Sequence, residues 1–219
     1  MSGLFITFEG GEGAGKSTQT RLLHAALLAA GHKVLLTREP GGSPGAEALR
    51  ELILFNEAPL SLRAQALAHM AARADHLDSV ILPALSRGEI VICDRFHDST
   101  LVYQGYGLAK GDSTTLAFIQ SLRALLACEP DLTLMLEIPP AIGAVRVAAR
   151  GGRLDRYEQE QEAFHTRIAE GFARVAQQDP DRVKRVDASR TPEEVAAGIM
   201  AIVAPRLIGS PIDTPPCGS

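Results

Sequence analysis

Apolar residues form short continuous runs that alternate along the chain with longer stretches of helical periodicity. The short runs predict strands at residues 4–9, 33–37, 89–94, 132–138 and 183–187. The longer stretches predict helices at residues 15–30, 47–55, 60–87, 113–128, 140–150, 158–178 and 192–207, of which 60–87 is long enough to bend. This alternation is typical of an α/β protein. We therefore expect three layers, with helices on both faces of a five-stranded parallel sheet.

The length and composition of the chain limit the classes of protein to which it can belong. Of its 219 residues, 46% are hydrophobic and 22% are charged, as in an ordinary globular protein. This length suits one domain over residues 1–208, and the Pro- and Gly-rich residues 209–219 are expected to form a disordered tail.

The charge and the apolar runs also indicate where the protein works. A net charge of −4 gives no sign of nucleic-acid binding. No apolar run reaches the ~18 residues of a membrane span. The first residues enter a strand with no signal peptide before it, so we expect a cytoplasmic protein without a membrane partner.

A glycine-rich segment joins the first strand to the first helix, where residues 10–17 (GGEGAGKS) match G-x-x-x-x-G-K-[ST]. Glycines let backbone N–H groups close around phosphate oxygens, and the positive end of the following helix points at the same anion. Lys16 is expected to reach the β- and γ-phosphates of ATP, and the Ser17 hydroxyl to hold Mg²⁺. A chance glycine-rich turn would not need to lie between a strand and a helix. The predicted ATP-binding residues here are Gly10, Gly11, Glu12, Gly13, Ala14, Gly15, Lys16, Ser17 and Thr18.

An acidic residue and two arginines follow other strands. Asp94 ends the third strand, where proteins with this phosphate-binding loop place a second Mg²⁺-binding group. Arg38 follows the second strand and Arg95 the third. The carboxyl ends of parallel strands share one edge of a sheet, so these arginines could together bind one phosphate. The alternative for each arginine is an ordinary surface ion pair.

The phosphate-binding loop alone does not separate the classes of nucleotide-binding protein. A GTPase reads guanine with Asn-Lys-x-Asp, but the single asparagine, Asn56, is followed by Glu57. A motor or large ATPase would need a longer chain. A kinase for a small acceptor fits the length, and further motifs narrow the choice.

Six motifs resemble those of bacterial thymidylate kinases. They are the acidic P-loop containing Glu12, TREPGG at 37–42, DRF at 94–96, STLVYQG at 99–105, LDRYE at 154–158 and VDAS at 186–189. The motifs follow one another in the same order as in that family, and the resemblance extends from about residue 3 to residue 205. It implies a P-loop kinase that phosphorylates dTMP to dTDP with ATP and Mg²⁺ for dTTP synthesis, and it implies a homodimer.

The resemblance also assigns residues to the acceptor nucleotide. It places Arg38 and Arg95 on the acceptor phosphate and Glu12 near the sugar. Arg73 would bond the thymine base and His69 would stack on it, although the family usually has Phe at this position. Tyr103 falls where a ring would crowd a ribose 2′-hydroxyl. The remaining acceptor-site residues implied are Glu39, Ser99, Thr100 and Gln104.

Arginines on and after the helix at 140–150 resemble the lid of these kinases, over about residues 146–158. The lid brings arginine onto the transferring phosphoryl group, and Arg153 is the first candidate for this role, with Arg150 second. Arg146 is assigned to ATP. Ser189 and Arg190 lie in the loop that resembles the adenine-binding edge. Together these assignments make Lys16, Asp94, Arg95, Arg150 and Arg153 the predicted catalytic residues. A solvated basic segment is the alternative for the lid arginines.

Two alternative functions stay open from the sequence alone. The first is another small nucleotide kinase or a deoxynucleoside kinase, with which His69 in place of Phe is compatible. The second is a regulatory protein that binds nucleotides but has lost kinase activity, although Lys16, Ser17, Asp94 and the arginines argue against it.

Overall fold

A computed structural model of the protein describes residues 3–56, 59–151 and 155–208, without the side chains of Arg150 and Ile208. The strands are β1 (Leu4–Glu9), β2 (Val34–Arg38), β3 (Ile90–Asp94), β4 (Leu132–Glu137) and β5 (Val183–Asp187). The α-helices are α1 (Lys16–Ala29), α2 (Pro44–Phe55), α3 (Leu62–His76), α4 (Leu82–Ser86), α5 (His97–Thr100), α6 (Ser113–Leu126), α7 (Pro140–Arg150), α8 (Glu162–Gln178) and α9 (Pro192–Ile208). Two π-helical segments cover Leu77–Ile81 and Leu101–Leu108.

The five strands form one parallel sheet in the order β2-β3-β1-β4-β5, which confirms the predicted fold class. All carboxyl ends therefore lie at one edge, with β1 in the centre. Phe8 pairs with Asp94 across β1 and β3, so the glycine-rich segment after β1 starts beside the end of β3.

Separate hydrophobic cores cover the two faces of the sheet. On one face, α1 and α9 pack against β1 and β4, with Leu23, Leu27 and Ile199 buried against Ile6 and Leu134. The other face is covered by α2, α3, α6, α8 and the second π-helical segment, whose buried residues include Met70, Val102, Ile119 and Phe172. Helices thus cover both faces of the sheet, as the three-layer prediction requires.

The long helix predicted at 60–87 is divided, as expected of a helix that bends. It runs as α3, then as the π-helical segment Leu77–Ile81, then as α4. Pro83 stands in the first turn of α4 and has no N–H to donate, which interrupts the regular pattern of helical hydrogen bonds at this point.

One helical segment was not predicted, and one helix boundary was predicted wrongly. Residues 97–108 are helical, but they were not among the helices predicted from the sequence, and Gly105 and Gly107 within them are poor helix formers. These glycines instead allow close packing: a Cβ would lie 2.6 Å from Leu116 at Gly105 and 2.6 Å from Phe164 at Gly107. The helix predicted from residue 158 begins only at Glu162, because the Asp155 carboxylate accepts hydrogen bonds from the backbone N–H groups of residues 157 and 158 and holds a turn.

In the part of the chain that the structure describes, every helix is too short or too polar to cross a bilayer. The predicted tail at 209–219 lies outside the described residues.

Candidate active site

The glycine-rich segment forms a tight loop between β1 and α1. Gly10 has φ 137°, and a Cβ there would lie 2.3 Å from the carbonyl oxygen of Leu136 on β4, so only glycine fits. Lys16 folds back over the loop, and its Nζ donates to the carbonyl oxygens of Gly10 (3.1 Å) and Gly11 (2.8 Å). Burial, reinforced by the charge of Arg95, lowers the pKa of Lys16. The loop therefore holds the ammonium group against the backbone that would surround a phosphate.

Ser17 and Asp94 meet beside this loop. The Ser17 hydroxyl donates to Asp94 Oδ2 at 2.7 Å, so the two residues predicted to bind Mg²⁺ lie in contact. A hydroxyl and a carboxylate are a suitable donor set, since Mg²⁺ usually takes one or two protein oxygens and completes its octahedron with water and phosphate oxygens. No group of three or more His, Cys, Asp or Glu side chains among the described residues is placed to hold a metal.

Arg95 lies at the centre of the site, with its backbone in the left-handed region at φ 71°. Its guanidinium donates to Glu12 Oε1 (2.6 Å), to the carbonyl oxygen of Gly10 (3.2 Å) and to Ser99 Oγ (3.2 Å). The guanidinium also lies 4.9 Å from the centre of the Tyr103 ring. Arg95 is thus tied to the P-loop on one side and to the helix after β3 on the other.

Glu12 is held as a carboxylate in this cluster. Burial alone would raise its pKa, but Arg95, Lys16 and the Tyr103 hydroxyl, which donates to it at 2.7 Å, outweigh burial and lower the pKa to about 2. The Tyr103 hydroxyl is therefore directed at Glu12, and its ring forms one wall of the site.

A second buried cluster joins α3 to the loop after β2. Arg73 is 2% exposed; its Nε donates to Glu39 Oε2 at 2.7 Å and its Nη2 to Thr100 Oγ1 at 3.1 Å. The other Glu39 oxygen lies 3.2 Å from His76 Nδ1, and His76 Nε2 lies 2.7 Å from Thr37 Oγ1. Sequence reasoning missed His76, although its position three residues after Arg73 puts both on one side of α3.

His69 lies beside this cluster and contacts Tyr157. His69 Nε2 is 3.2 Å from the Tyr157 hydroxyl, which also accepts from Gln104 Nε2 at 2.9 Å. Burial and the nearby charges of Arg73, Arg156 and Arg95 lower the pKa of His69 to about 3, so its imidazole is neutral at physiological pH. Tyr157 belongs to the LDRYE motif, but no role was predicted for it.

Arg38 is more exposed than Arg73 and Arg95. Its Nη2 donates to both carboxylate oxygens of Glu47, at 2.9 and 3.0 Å, and 53% of its side chain is exposed. The ion pair proposed as the alternative for Arg38 does form, yet Arg38 lines the same cavity as Arg95.

The helix in which the predicted lid begins, α7, packs directly on the P-loop. Gly13 and Gly143 of α7 meet backbone to backbone, and a Cβ on Gly143 would lie 2.4 Å from the carbonyl oxygen of Glu12. Arg146 Nη1 donates to the carbonyl oxygens of Ala188 (3.0 Å) and Gly13 (3.4 Å), which joins α7 to the loop after β5.

The other residues predicted for ATP and for the lid are placed differently. Ser189 Oγ donates to Asp187 at 2.5 Å and Arg190 Nε to the same carboxylate at 3.3 Å, so both residues are bonded within their own loop. The side chain of Arg150 and the whole of Arg153 lie outside the described residues.

One cavity of about 540 Å³ collects most of the predicted site residues. Those that line it are Glu12, Gly13, Gly15, Lys16, Ser17, Thr18, Arg38, Glu39, His69, Arg73, Asp94, Arg95, Ser99, Thr100, Tyr103, Gln104 and Arg146. Gly10, Gly11, Ala14, Ser189 and Arg190 are not among its lining residues. A phosphate-binding loop at the edge of a parallel sheet and a deep arginine-rich cavity beside it define a P-loop kinase for a small phosphorylated acceptor.

Comparison with known proteins identifies the family. The family model described as thymidylate kinase matches residues 8–199. The chain belongs to the thymidylate kinase family, whose members are nucleoside-monophosphate kinases.

Individual relatives and a solved structure agree with this assignment. The chain is similar to the thymidylate kinase of Gluconobacter oxydans, with 64% identity over 205 residues that cover 94% of this chain and 96% of the relative. It is 47% identical over 206 residues to the thymidylate kinase of Caulobacter vibrioides, covering 94% of this chain and 98% of the relative. The crystal structure of thymidylate kinase from Ehrlichia chaffeensis matches with a TM-score of 0.74 and 30% identity, covering 93% of this chain and all of that one.

Proposed function

We propose that the protein transfers the γ-phosphoryl group of ATP to dTMP, giving ADP and dTDP for dTTP synthesis. The observation that carries this proposal is that one cavity is lined both by the P-loop residues Lys16 and Ser17 and by the acceptor-site residues Arg73 and Arg95. Membership in the thymidylate kinase family supports dTMP as the acceptor.

The chemistry required of the protein is mainly electrostatic. The acceptor phosphate is already anionic at neutral pH, so the reaction needs no strong general base. The obstacle is the repulsion between two polyanions, which Lys16, Arg95 and Arg38 offset by placing positive charge around the reacting phosphates. Arg95 is bonded to Glu12 and Arg38 to Glu47, so the acceptor phosphate must share or replace these carboxylates.

We also propose that Ser17 and Asp94 hold Mg²⁺ together with the ATP phosphates. Their contact at 2.7 Å and the suitability of one hydroxyl and one carboxylate support this site. When bound, Mg²⁺ would neutralise negative charge on the ATP phosphates.

The acceptor base is assigned to the cluster on α3. Arg73 is proposed to bond the base and His69 to stack on it as a neutral ring. Ser99, Thr100 and Gln104 complete the wall, while the ring of Tyr103 disfavours a ribose 2′-hydroxyl by crowding. Because His69 replaces a larger aromatic ring, another nucleoside monophosphate is the rival acceptor.

The lid, the domain and the assembly are proposed from the family. Residues 1–208 would form one kinase domain in which residues 146–158 close over ATP, with Arg153, or else Arg150, contacting the transferring group. Arg146, Ser189 and Arg190 would lie around ATP. The protein is proposed to act in the cytoplasm as a homodimer, and sedimentation equilibrium at micromolar concentration would contradict the dimer by showing a monomer.

The proposal is tested by comparing ADP release with dTMP, dUMP, dGMP and thymidine as acceptors. We expect dTMP to give the highest kcat/KM, and a Lys16→Ala variant to lose nearly all activity. Equal turnover of the four acceptors would refute the assignment to dTMP. ADP release by the Lys16→Ala variant at the wild-type rate would refute the assignment of the catalytic site.

A further inference from the structure

Glu9 is a buried carboxylate to which the sequence analysis gave no role. It is the last residue of β1, directly before the P-loop, and it is 0% exposed. A carboxylate in such a position is costly unless its oxygens accept hydrogen bonds. Its partners therefore indicate what it does.

Three hydrogen bonds reach the Glu9 carboxylate from the described residues, and all three come from the segment after β3. Glu9 Oε1 accepts from the backbone N–H groups of Phe96 (2.8 Å) and Ser99 (3.1 Å). Glu9 Oε2 accepts from the Ser99 hydroxyl at 2.5 Å. One side chain of β1 thus holds both ends of the short segment from 96 to 99.

This segment follows the strained residue Arg95. A non-glycine residue at φ 71° costs about 1 kcal/mol or more, so neighbouring contacts must maintain it. The Arg95 N–H donates to the carbonyl oxygen of Phe8 at 2.9 Å, and Glu9 anchors the next residue. Adjacent residues of β1 therefore fix the backbone on both sides of the Arg95 side chain.

The Ser99 hydroxyl connects Glu9 to the Arg95 guanidinium. A hydroxyl has one hydrogen, and Ser99 gives it to Glu9, so its lone pairs are free to face Arg95 Nη1 at 3.2 Å. We propose that Glu9 is a positioning residue that orients the Ser99 hydroxyl and, through it, aims Arg95 at the acceptor phosphate. This inference rests on the proposed function for the identity of the acceptor. The geometry of the Glu9–Ser99–Arg95 relay does not depend on that function.

Glu9→Gln separates this relay from a purely structural role. The variant has the same shape, and its amide oxygen can still accept from the N–H groups of Phe96 and Ser99. Its NH₂ group, however, must donate to the Ser99 hydroxyl, so the hydroxyl hydrogen loses its place toward Glu9 and turns to one of the two remaining positions around the oxygen. One of these positions faces Arg95, so the lone pair that Ser99 offers to the guanidinium is no longer fixed. Burial and the charge of Asp98 raise the pKa of Glu9 to about 7, so the assays are run at a pH of about 8.5, where Glu9 is ionised.

We expect Glu9→Gln to raise the KM for dTMP about tenfold, as for one lost hydrogen bond to a charged group, and to leave the KM for ATP within twofold. In a Ser99→Ala background, the Glu9→Gln substitution should have no further effect, because the relay is already broken. Thr7→Val is the matched control: Thr7 lies on the same face of β1, and its hydroxyl bonds Thr133 at 2.8 Å, away from Arg95. It should leave both KM values unchanged.

A wild-type KM for dTMP in Glu9→Gln would overturn the relay. So would a double variant, Glu9→Gln with Ser99→Ala, whose KM for dTMP is raised by the product of the two single-variant factors. If Glu9→Gln does not fold, Ser99→Ala must raise the KM for dTMP and also shift the Arg95 guanidinium signal in protein without nucleotide, which a lost direct contact between Ser99 and the acceptor would not do. The ¹⁵N NMR signal of the Arg95 guanidinium, assigned with Arg95→Lys, tests the relay for any acceptor. It should shift in Glu9→Gln and not in Thr7→Val. Wild-type protein that does not prefer dTMP would refute the proposed function, and an unshifted Arg95 signal would refute the relay.

Discussion

Replacing Glu12 by glutamine should destabilise the unliganded protein by an amount that depends on pH. Glu12 accepts hydrogen bonds from Arg95 and Tyr103, and these partners together with Lys16 lower its pKa from 4.5 to about 2 against the opposing effect of burial. A shift of this size corresponds to about 3 kcal/mol of folding free energy at neutral pH. The Glu12→Gln variant keeps the shape of the side chain but loses this charge-dependent contribution.

The sign of the pH dependence follows from the lowered pKa. The unfolded chain takes up a proton at Glu12 near pH 4.5, while the folded protein does so only near pH 2. The stabilisation by Glu12 is therefore complete above pH 4.5 and is lost as the pH falls toward 2. At a pH of roughly 3, the difference in unfolding free energy between wild type and variant should be about half of its value at neutral pH.

Urea unfolding followed by circular dichroism measures this difference at several pH values without nucleotides. Glu170→Gln, an exposed substitution on α8, is the control and should change the unfolding free energy by less than about 0.5 kcal/mol. The reasoning would be refuted by a Glu12→Gln effect below about 1 kcal/mol at pH 7, or by an effect that does not change with pH.

Three further substitutions test other parts of the site and fold. Gly143→Ala should raise the KM for ATP and lower kcat in steady-state assays, because its Cβ would lie 2.4 Å from the Glu12 carbonyl oxygen and push α7 away from the P-loop; unchanged kinetics would show that this contact can relax. His69→Phe should lower the KM for dTMP by offering a larger stacking surface, despite losing the contact with Tyr157, and a raised KM would mean that this contact matters more. Thr191→Ala should lower the stability by about 1 kcal/mol in thermal unfolding by removing the hydroxyl that caps α9, without altering kinetics; a loss of activity would contradict a purely structural role.

Most of the fold could be predicted because each strand and helix carries a local signal. The apolar run of β1 and the glycines after it identify both the central strand and the loop that binds phosphate. The segment 97–108 could not be predicted in this way. Its Gly105 and Gly107 oppose a helix locally, and only their packing against Leu116 and Phe164, which are distant in sequence, explains why the chain is helical there.

The site shows the same division between local motifs and distant partners. Lys16, Asp94 and Arg95 belong to short motifs with a chemical rationale, and the cavity brings them together. Glu9 and His76 carry no such motif. Glu9 reads as one more residue of a strand until its bonds to a segment about 90 residues away are known, and His76 becomes informative only through Glu39.

The arginines near the acceptor side are not bare cations: Arg38, Arg73 and Arg95 are each bonded to a carboxylate, from Glu47, Glu39 and Glu12. Capture of an incoming phosphate at Arg38 or Arg95 is consequently an exchange of one anion for another. Few mobile counterions need to be released from the cavity, so affinity for the acceptor should fall less steeply with ionic strength than three unpaired arginines would suggest.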